Sequence, residues 1–126
     1  MPNITTFERV IAIDIETSSQ GELLDIGVWD GTSESGHFYF WCSSWEEFFI
    51  YLMQVETDCR VIAHNGFGFD FITFNQWFLD NRKKYGIADE DVIYLSSESL
   101  LVAMIIRKSG IQYTLVDTMG FFPGQS

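Results

Sequence analysis

The eight residues from Val10 to Thr17 constrain the fold more than any other stretch. They read VIAIDIET, an apolar strand that ends in two acids one residue apart. Because side chains alternate between the faces of a strand, Asp14 and Glu16 point to one face and Ile13 to the other. Two carboxylates at the end of a buried strand cost free energy unless they are compensated, and a divalent cation with oxygen ligands is the usual compensation. The alternative is a strand that runs into a solvated loop with two surface acids. About 0.6 Asp-x-Glu matches are expected by chance in this composition.

Length and composition predict one globular domain over residues 1–126. The chain is 47% hydrophobic and 20% charged, and it is long enough to bury a core. It has neither an apolar stretch of about 18 residues nor the pattern of a signal peptide. We therefore expect no membrane partner and a cytoplasmic location, which for a viral protein means the host-cell cytoplasm. Cys42 and Cys59 are expected to be buried free thiols.

The formal net charge of −11 is unfavourable for a protein that binds nucleic acid through its own field. If the chain holds nucleic acid, metal ions or another domain must supply the positive charge.

Hydrophobic patterns predict an α/β order of elements. We predict strands over residues 9–16, 23–29, 37–41, 60–65, 91–95, 100–106 and 111–119. The loop over 30–36 is predicted to join the second and third strands as a hairpin, and Lys108-Ser109-Gly110 is predicted to be a turn.

Two helices are predicted between these strands. Ser44 and Glu47 predict a capping box at the start of the first. Its apolar face consists of Trp45, Phe48, Phe49, Leu52 and Met53. The second helix is predicted over 70–85 and is expected to end at Gly86. A strand, a helix and another strand at this spacing indicate a crossover with a parallel strand pair.

A second acidic site follows the fourth predicted strand, in the run His64-Asn65-Gly66-Phe67-Gly68-Phe69-Asp70. The pattern of Asn, three residues, an aromatic and Asp is expected about 0.04 times by chance. An acid at the start of a helix is also favourable by itself, because it interacts with the helix dipole. Asp70 is therefore either part of a site or a simple helix cap beside a glycine turn.

Together, the runs Ile13–Thr17 and Asn65–Asp70 resemble the first two motifs of the DEDD, or DnaQ-like, 3′–5′ exonucleases. Residues 112–123 are similar to the strand and loop after the second motif in the exonuclease domains of family B DNA polymerases of the protein-primed viral and plasmid type. The resemblance covers nearly the whole chain. It implies an α/β ribonuclease H-like fold with a central mixed β-sheet flanked by helices.

The resemblance also implies a site for two Mg²⁺ or Mn²⁺ ions and the 3′ end of a single DNA strand. The catalytic and metal-binding residues would be Asp14, Glu16 and Asp70. The residues that contact the 3′ end would be Thr17, His64, Asn65 and Phe69. His64 either touches the strand or is a satisfied histidine near the core. Two ions of this kind orient a water and stabilise the leaving oxygen, while an aromatic ring stacks on any base.

The family's third motif places a fourth carboxylate four or five residues after a Tyr or His. Tyr85 with Asp89 and Tyr113 with Asp117 match four-residue spacing, but about 0.4 such pairs are expected by chance. We therefore expect an exonuclease domain that is incomplete at its C-terminus and takes its fourth ligand from a downstream polymerase segment or a partner chain. The expected function is the proofreading part of a viral-type DNA polymerase. The alternatives are a stand-alone DnaQ-like ribonuclease and a non-catalytic binding or assembly module.

Overall fold

The computed structural model describes residues 9–20, 22–33, 36–63, 70–97 and 100–117. Within them the strands are β1 (Arg9–Thr17), β2 (Leu23–Ser33), β3 (Gly36–Cys42), β4 (Cys59–Ala63), β5 (Val92–Ser97), β6 (Leu100–Lys108) and β7 (Ile111–Asp117). The helices are α1 (Trp45–Met53) and α2 (Phe71–Asn81), with short 3₁₀ turns at Arg82–Tyr85 and Asp89–Asp91.

The described strands form a single mixed sheet in the order β3-β2-β1-β4-β7-β6-β5. β4 runs parallel to both β1 and β7, while the remaining neighbours are antiparallel. Helix α1 lies in the connection that carries the chain from β3 past β2 and β1 to β4. The predicted α/β class and the mixed sheet are therefore confirmed. The predicted crossover through α1 is present, but its two strands β3 and β4 are not neighbours, and β4 instead pairs in parallel with β1 and β7.

Both helices pack on one face of the sheet, which we call the helix face. Its core joins alternate strand residues such as Ile11, Ile13 and Val61 to the phenylalanines of α1 and α2. The helix residues in this core include Phe48, Phe49 and Leu52 of α1 and Phe71, Phe74 and Phe78 of α2. The opposite face, which we call the open face, carries the intervening strand residues, and neither of the two described helices packs against it.

The predicted helix signals are largely confirmed. The Ser44 hydroxyl accepts a hydrogen bond from the Glu47 N–H at 3.1 Å, as an N-cap should. The Glu47 carboxylate accepts from the Ser43 N–H at 2.6 Å, one residue earlier than a capping box requires. The second helix was predicted to reach Tyr85, but its α-helical part ends at Asn81 and a 3₁₀ turn continues to Gly86, whose φ of 75° ends it.

The predicted hairpin loop over 30–36 is wrong in length, because β2 continues to Ser33 and β3 already begins at Gly36. The glycines and serines of this run predicted a longer loop, but Asp30 at its start is a strand residue. In the structure its side chain is 0% exposed and lies on the helix face. The predicted turn before β7 is confirmed, with φ values of 55° at Ser109 and 81° at Gly110.

Cys42 and Cys59 are both buried free thiols, as predicted. Burial, with a smaller contribution from the charge of Glu47, raises the pKa of the Cys42 thiol to about 11. Across the parts of the chain that the structure describes, no helix is long and apolar enough to cross a membrane.

Candidate functional site

The two acids of the first motif stand where the strand alternation predicts. Ile11 and Ile13 are buried on the helix face, while Asp14 and Glu16 are exposed on the open face. Both acids lie near the C-terminal end of β1, which ends at Thr17. Their shared face is therefore confirmed, and both carboxylates are accessible to solvent and to a ligand.

Asp70 comes from the neighbouring strand connection. β4 lies beside β1 in parallel, with Ala12 opposite Ile62, and the chain returns from the end of β4 to α2. Asp70 occupies the N-cap position of α2, but its side chain makes no capping hydrogen bond, and it is only 8% exposed. The Thr73 hydroxyl donates to its backbone oxygen at 2.9 Å. Asp70 therefore differs from the first two acids in being almost enclosed by protein.

The three acids are not gathered into one coordinating cluster. Among the described residues, no group of three or more His, Cys, Asp or Glu side chains is placed to hold a metal ion. Asp14 and Glu16 project from the open face, whereas α2 packs on the helix face, so these carboxylates can meet Asp70 only around the edge where β1 and β4 end. The metal set of Asp14, Glu16 and Asp70 therefore stays a prediction.

Asp25 is an acid near the site that sequence reasoning missed. It lies on β2 directly opposite Glu16 in the antiparallel register, and both side chains are exposed. Like charges facing each other across two strands destabilise the pair. The alternation of β2, with Ile26 and Val28 inward, was the available signal that Asp25 faces outward. With Asp14, the open face thus carries three exposed carboxylates near the end of β1, but they are not close enough together to form a metal-binding cluster.

Thr17 is half-buried at the end of β1, where the register with β2 shifts. The following turn is closed by a bond from the Ser18 N–H to the Glu22 carbonyl at 2.8 Å. The Ser18 hydroxyl also accepts from the backbone N–H groups of Gln20 and Glu22 at 3.2 Å each. Thr17 is therefore held next to the two acids by a well-bonded turn. The other predicted substrate contacts, His64, Asn65 and Phe69, lie outside the described residues.

The two tyrosines of the Tyr-x-x-x-Asp pairs, and Asp89, make structural contacts, while the Asp117 side chain lies outside the part of the structure that is described. The buried Tyr113 hydroxyl donates to the Val55 carbonyl at 2.8 Å, and burial raises its pKa. The Tyr85 hydroxyl donates to the Glu46 carboxylate at 2.5 Å, and this bond raises its pKa. Asp89 forms an ion pair with Arg82. These three side chains thus have structural partners, away from the end of β1.

An aromatic pair borders the first motif on the open face. Tyr39 and Trp41 of β3 make an edge-to-face contact, with ring centroids 5.6 Å apart and an interplanar angle of 81°. Both lie over Gly27 of β2, where a Cβ would come within 3.1 Å of the Tyr39 oxygen and 3.2 Å of the Trp41 ring. Gly27 is itself opposite Asp14. We call these two residues the Tyr39–Trp41 pair.

Comparison with known proteins gives only a structural likeness. No protein-family model matches the sequence, and no curated protein does. Among solved structures, the chain is similar to Phi29 DNA polymerase complexed with single-stranded DNA, with a TM-score of 0.56 and 16% identity over 89% of this chain. The complex of that polymerase with primer-template DNA gives the same values, and its ternary complex with incoming nucleotide gives a TM-score of 0.53 and 14% identity.

In each case the match covers 21% of the polymerase chain, so this chain spans about a fifth of the length of those polymerases. At such low identity the likeness establishes the fold alone. The chain therefore has a mixed-sheet α/β fold similar to that of part of Phi29 DNA polymerase.

Proposed function

We propose that this chain is a metal-dependent 3′–5′ exonuclease domain of the DnaQ-like type, with a ribonuclease H-like fold, and that it proofreads for a viral-type DNA polymerase. The observation that carries the proposal is the position of the acids. Asp14 and Glu16 end β1 on its open face, and Asp70 follows the neighbouring parallel strand β4 at the start of α2. The fold likeness to Phi29 DNA polymerase supports this assignment.

In this proposal Asp14, Glu16 and Asp70 hold two Mg²⁺ or Mn²⁺ ions, which supply Lewis-acid stabilisation of the phosphate and of the leaving oxygen. Water attacks the phosphorus of the last phosphodiester and gives up a proton to solvent, the bond to the 3′-oxygen breaks, and that oxygen gains a proton from solvent. The products are a nucleoside 5′-monophosphate and a strand shorter by one nucleotide.

The protein residues around the acids have separate roles. Thr17, held by the Ser18 turn, contacts the terminal nucleotide, and His64, Asn65 and Phe69 contact the same 3′ end. A fourth carboxylate, which the reaction of this family requires, comes from a further polymerase segment or a partner chain. If that segment or partner chain is basic, it would also offset the formal charge of −11, which opposes the binding of a single DNA strand.

Metal binding gives a test that does not depend on full activity. Calorimetric titration with Mn²⁺ should detect a site in the wild-type chain, and Asp14→Asn and Asp70→Asn should each weaken it by tenfold or more. Asp80→Asn is the matched control, because Asp80 is an exposed aspartate on α2. If Asp14→Asn and Asp70→Asn bind Mn²⁺ as well as Asp80→Asn does, the proposed site is wrong.

The substrate is tested with a 5′-labelled oligonucleotide in the presence of Mn²⁺. We expect stepwise shortening from the 3′ end, and we expect Asp14→Asn to abolish it. The rate should be low, because the chain lacks the fourth carboxylate and a group that orients the attacking water, and such a group typically raises the rate by about 10²–10⁴-fold. Equal or faster shortening of a matched RNA would instead identify a ribonuclease.

A further inference from the structure

Three large aromatic side chains stand on the open face at the β2–β3 end of the sheet. Trp29 is 38% exposed, Trp41 49% and Tyr39 60%. Isolated exposed aromatics are ordinary, but neighbouring ones on a sheet face that the described helices do not cover are typical of a binding surface. The proposed nuclease chemistry assigns no role to any of the three.

The Tyr39–Trp41 pair packs closely against Gly27. The ring of Trp41 and the hydroxyl of Tyr39 both lie against the backbone of this glycine, at distances that leave no room for a Cβ without displacement. The rings therefore lean from β3 across β2 toward β1. Because their mutual contact is edge-to-face, it covers the face of only one of the two rings.

The sheet register places this pair next to the first acidic motif. Trp41 is opposite Gly27, and Gly27 is opposite Asp14, so the three residues form one row across three strands on the open face. The row spans two strand spacings, roughly 10 Å between the Trp41 and Asp14 backbones. Since the Trp41 ring lies over Gly27, it covers part of that separation.

Charge is unevenly distributed along the open face. Asp14 and Glu16 lie where β1 ends, whereas Arg60 is opposite Val10 near the start of β1. Arg107 is opposite Gln112 at the start of β7, and its Nε donates to the Gln112 side chain at 3.4 Å. Both arginines are exposed. The open face thus has acids where β1 ends, aromatic rings on the β3 side of these acids, and two arginines on the β4 side, toward the start of the parallel strands.

We propose that the Tyr39–Trp41 pair stacks on the terminal nucleobase of a single DNA strand whose 3′ end is held at Asp14, while Arg60 and Arg107, on the other side of β1, attract phosphates of the strand that leads away from this end. This inference rests on the proposed nuclease function. A ring face accepts any base, which suits a strand of arbitrary sequence. Arginine binds phosphate through charge and several donors. A protein partner fits less well, because it would bury Asp14, Glu16 and Asp25 without compensation.

The test is the binding of a fluorescently labelled oligothymidylate, followed by anisotropy at low salt with Ca²⁺ present. Loss of one stacking contact should weaken binding by about 5- to 150-fold, so Trp41→Ala should fall in this range and Trp41→Phe should restore most of the affinity. Tyr94→Ala is the control, because Tyr94 is a 42% exposed aromatic whose hydroxyl bonds to Asn75 of α2 on the helix face. Thermal melting checks that each variant is folded.

An oligonucleotide without bases provides the complementary test, since it should bind weakly to the wild type and equally weakly to Trp41→Ala. The inference is overturned if Trp41→Ala binds oligothymidylate within twofold of the wild type, if the wild type does not bind it, or if Trp41→Ala changes only self-association measured by sedimentation. The nuclease proposal fails separately. If DNA binding depends on Trp41 but the chain has no Mn²⁺ site, the stacking inference stands and the nuclease function is wrong. If the chain has a Mn²⁺ site but DNA binding does not depend on Trp41, the nuclease function stands and the stacking inference is wrong.

Discussion

Removal of Arg9 should destabilise the fold more than neutralisation of its buried partner Asp30. The Arg9 guanidinium donates to both Asp30 oxygens, with Nε at 3.2 and 3.0 Å and a terminal nitrogen at 2.5 Å. The Tyr51 hydroxyl of α1 donates to the same carboxylate at 2.5 Å. The network links β1, which carries Asp14, to β2 and to α1. It raises the pKa of Arg9, and burial, with the Asp30 bond second, raises the pKa of Tyr51 to about 12.

The expected magnitudes follow from the unequal burial of the two charges. The Asp30 side chain is 0% exposed and that of Arg9 is 32% exposed. Loss of one partner of a fully buried pair costs about 3–5 kcal/mol. Because water partly screens Arg9, we expect about 2–3 kcal/mol for Arg9→Met, or a fall of about 8–12 °C in melting temperature for a chain of this size. Asp30→Asn should cost about 1 kcal/mol, because the amide oxygen still accepts from the Arg9 terminal nitrogen and from Tyr51, only the Arg9 Nε bond to the other oxygen is lost, and Arg9 still reaches water.

The assay is urea unfolding of both single variants and the double variant at pH 7 and pH 5. The deficit of Arg9→Met should shrink at pH 5, because a protonated Asp30 no longer leaves a charge buried. Arg107→Met, at an exposed arginine on β6, is the control and should change the free energy of unfolding by less than about 0.5 kcal/mol. The reasoning is refuted if Asp30→Asn costs more than Arg9→Met, or if Arg9→Met behaves like the control.

Three further predictions concern the acids, a thiol and a turn. Without metal, Asp14→Ala should melt at the same or a slightly higher temperature, because it relieves repulsion with Glu16, while its Mn²⁺ binding is lost; a large drop in melting temperature would make Asp14 structural. The Cys42 pKa of about 11 lies above the ordinary 9.0, because the folded protein favours the neutral thiol. The contribution of Cys42 to the free energy of unfolding should therefore be fully present below pH 9 and be lost, by about 2–3 kcal/mol, between pH 9 and pH 11. Cys42→Ala should lack that part of the slope in a pH series of urea unfolding, and an unchanged slope would contradict the assignment. Gly86→Ala should lower the free energy of unfolding by about 1 kcal/mol, because φ is 75° at this position, although there is space for the methyl group itself. If chemical denaturation shows no loss of stability, the turn relaxes to accommodate alanine.

The elements with strong local patterns could be predicted from the sequence. The outward side of β1 at Asp14 and the inward face of α1 follow from residue spacing, because the periods of strand and helix are properties of the backbone. The start of α2 after Asp70 follows from the same kind of signal. Where a local signal competed with packing, the prediction failed. Aspartate is typical of turns, yet Asp30 is satisfied within a strand by the partly exposed guanidinium of Arg9 and by the hydroxyl of Tyr51 from other elements.

The sequence by itself therefore determined which faces are apolar, where the helices begin, and which acids share a face. The tertiary structure alone decided which residues from distant positions become neighbours. Asp25 faces Glu16, and Trp41 lies in one row with Gly27 and Asp14, only because β2 pairs with β1 and β3 in one particular register. A shift of one residue would turn these side chains to the other face. Register is set by the packing of the whole sheet against α1 and α2, and no local stretch of sequence contains that information.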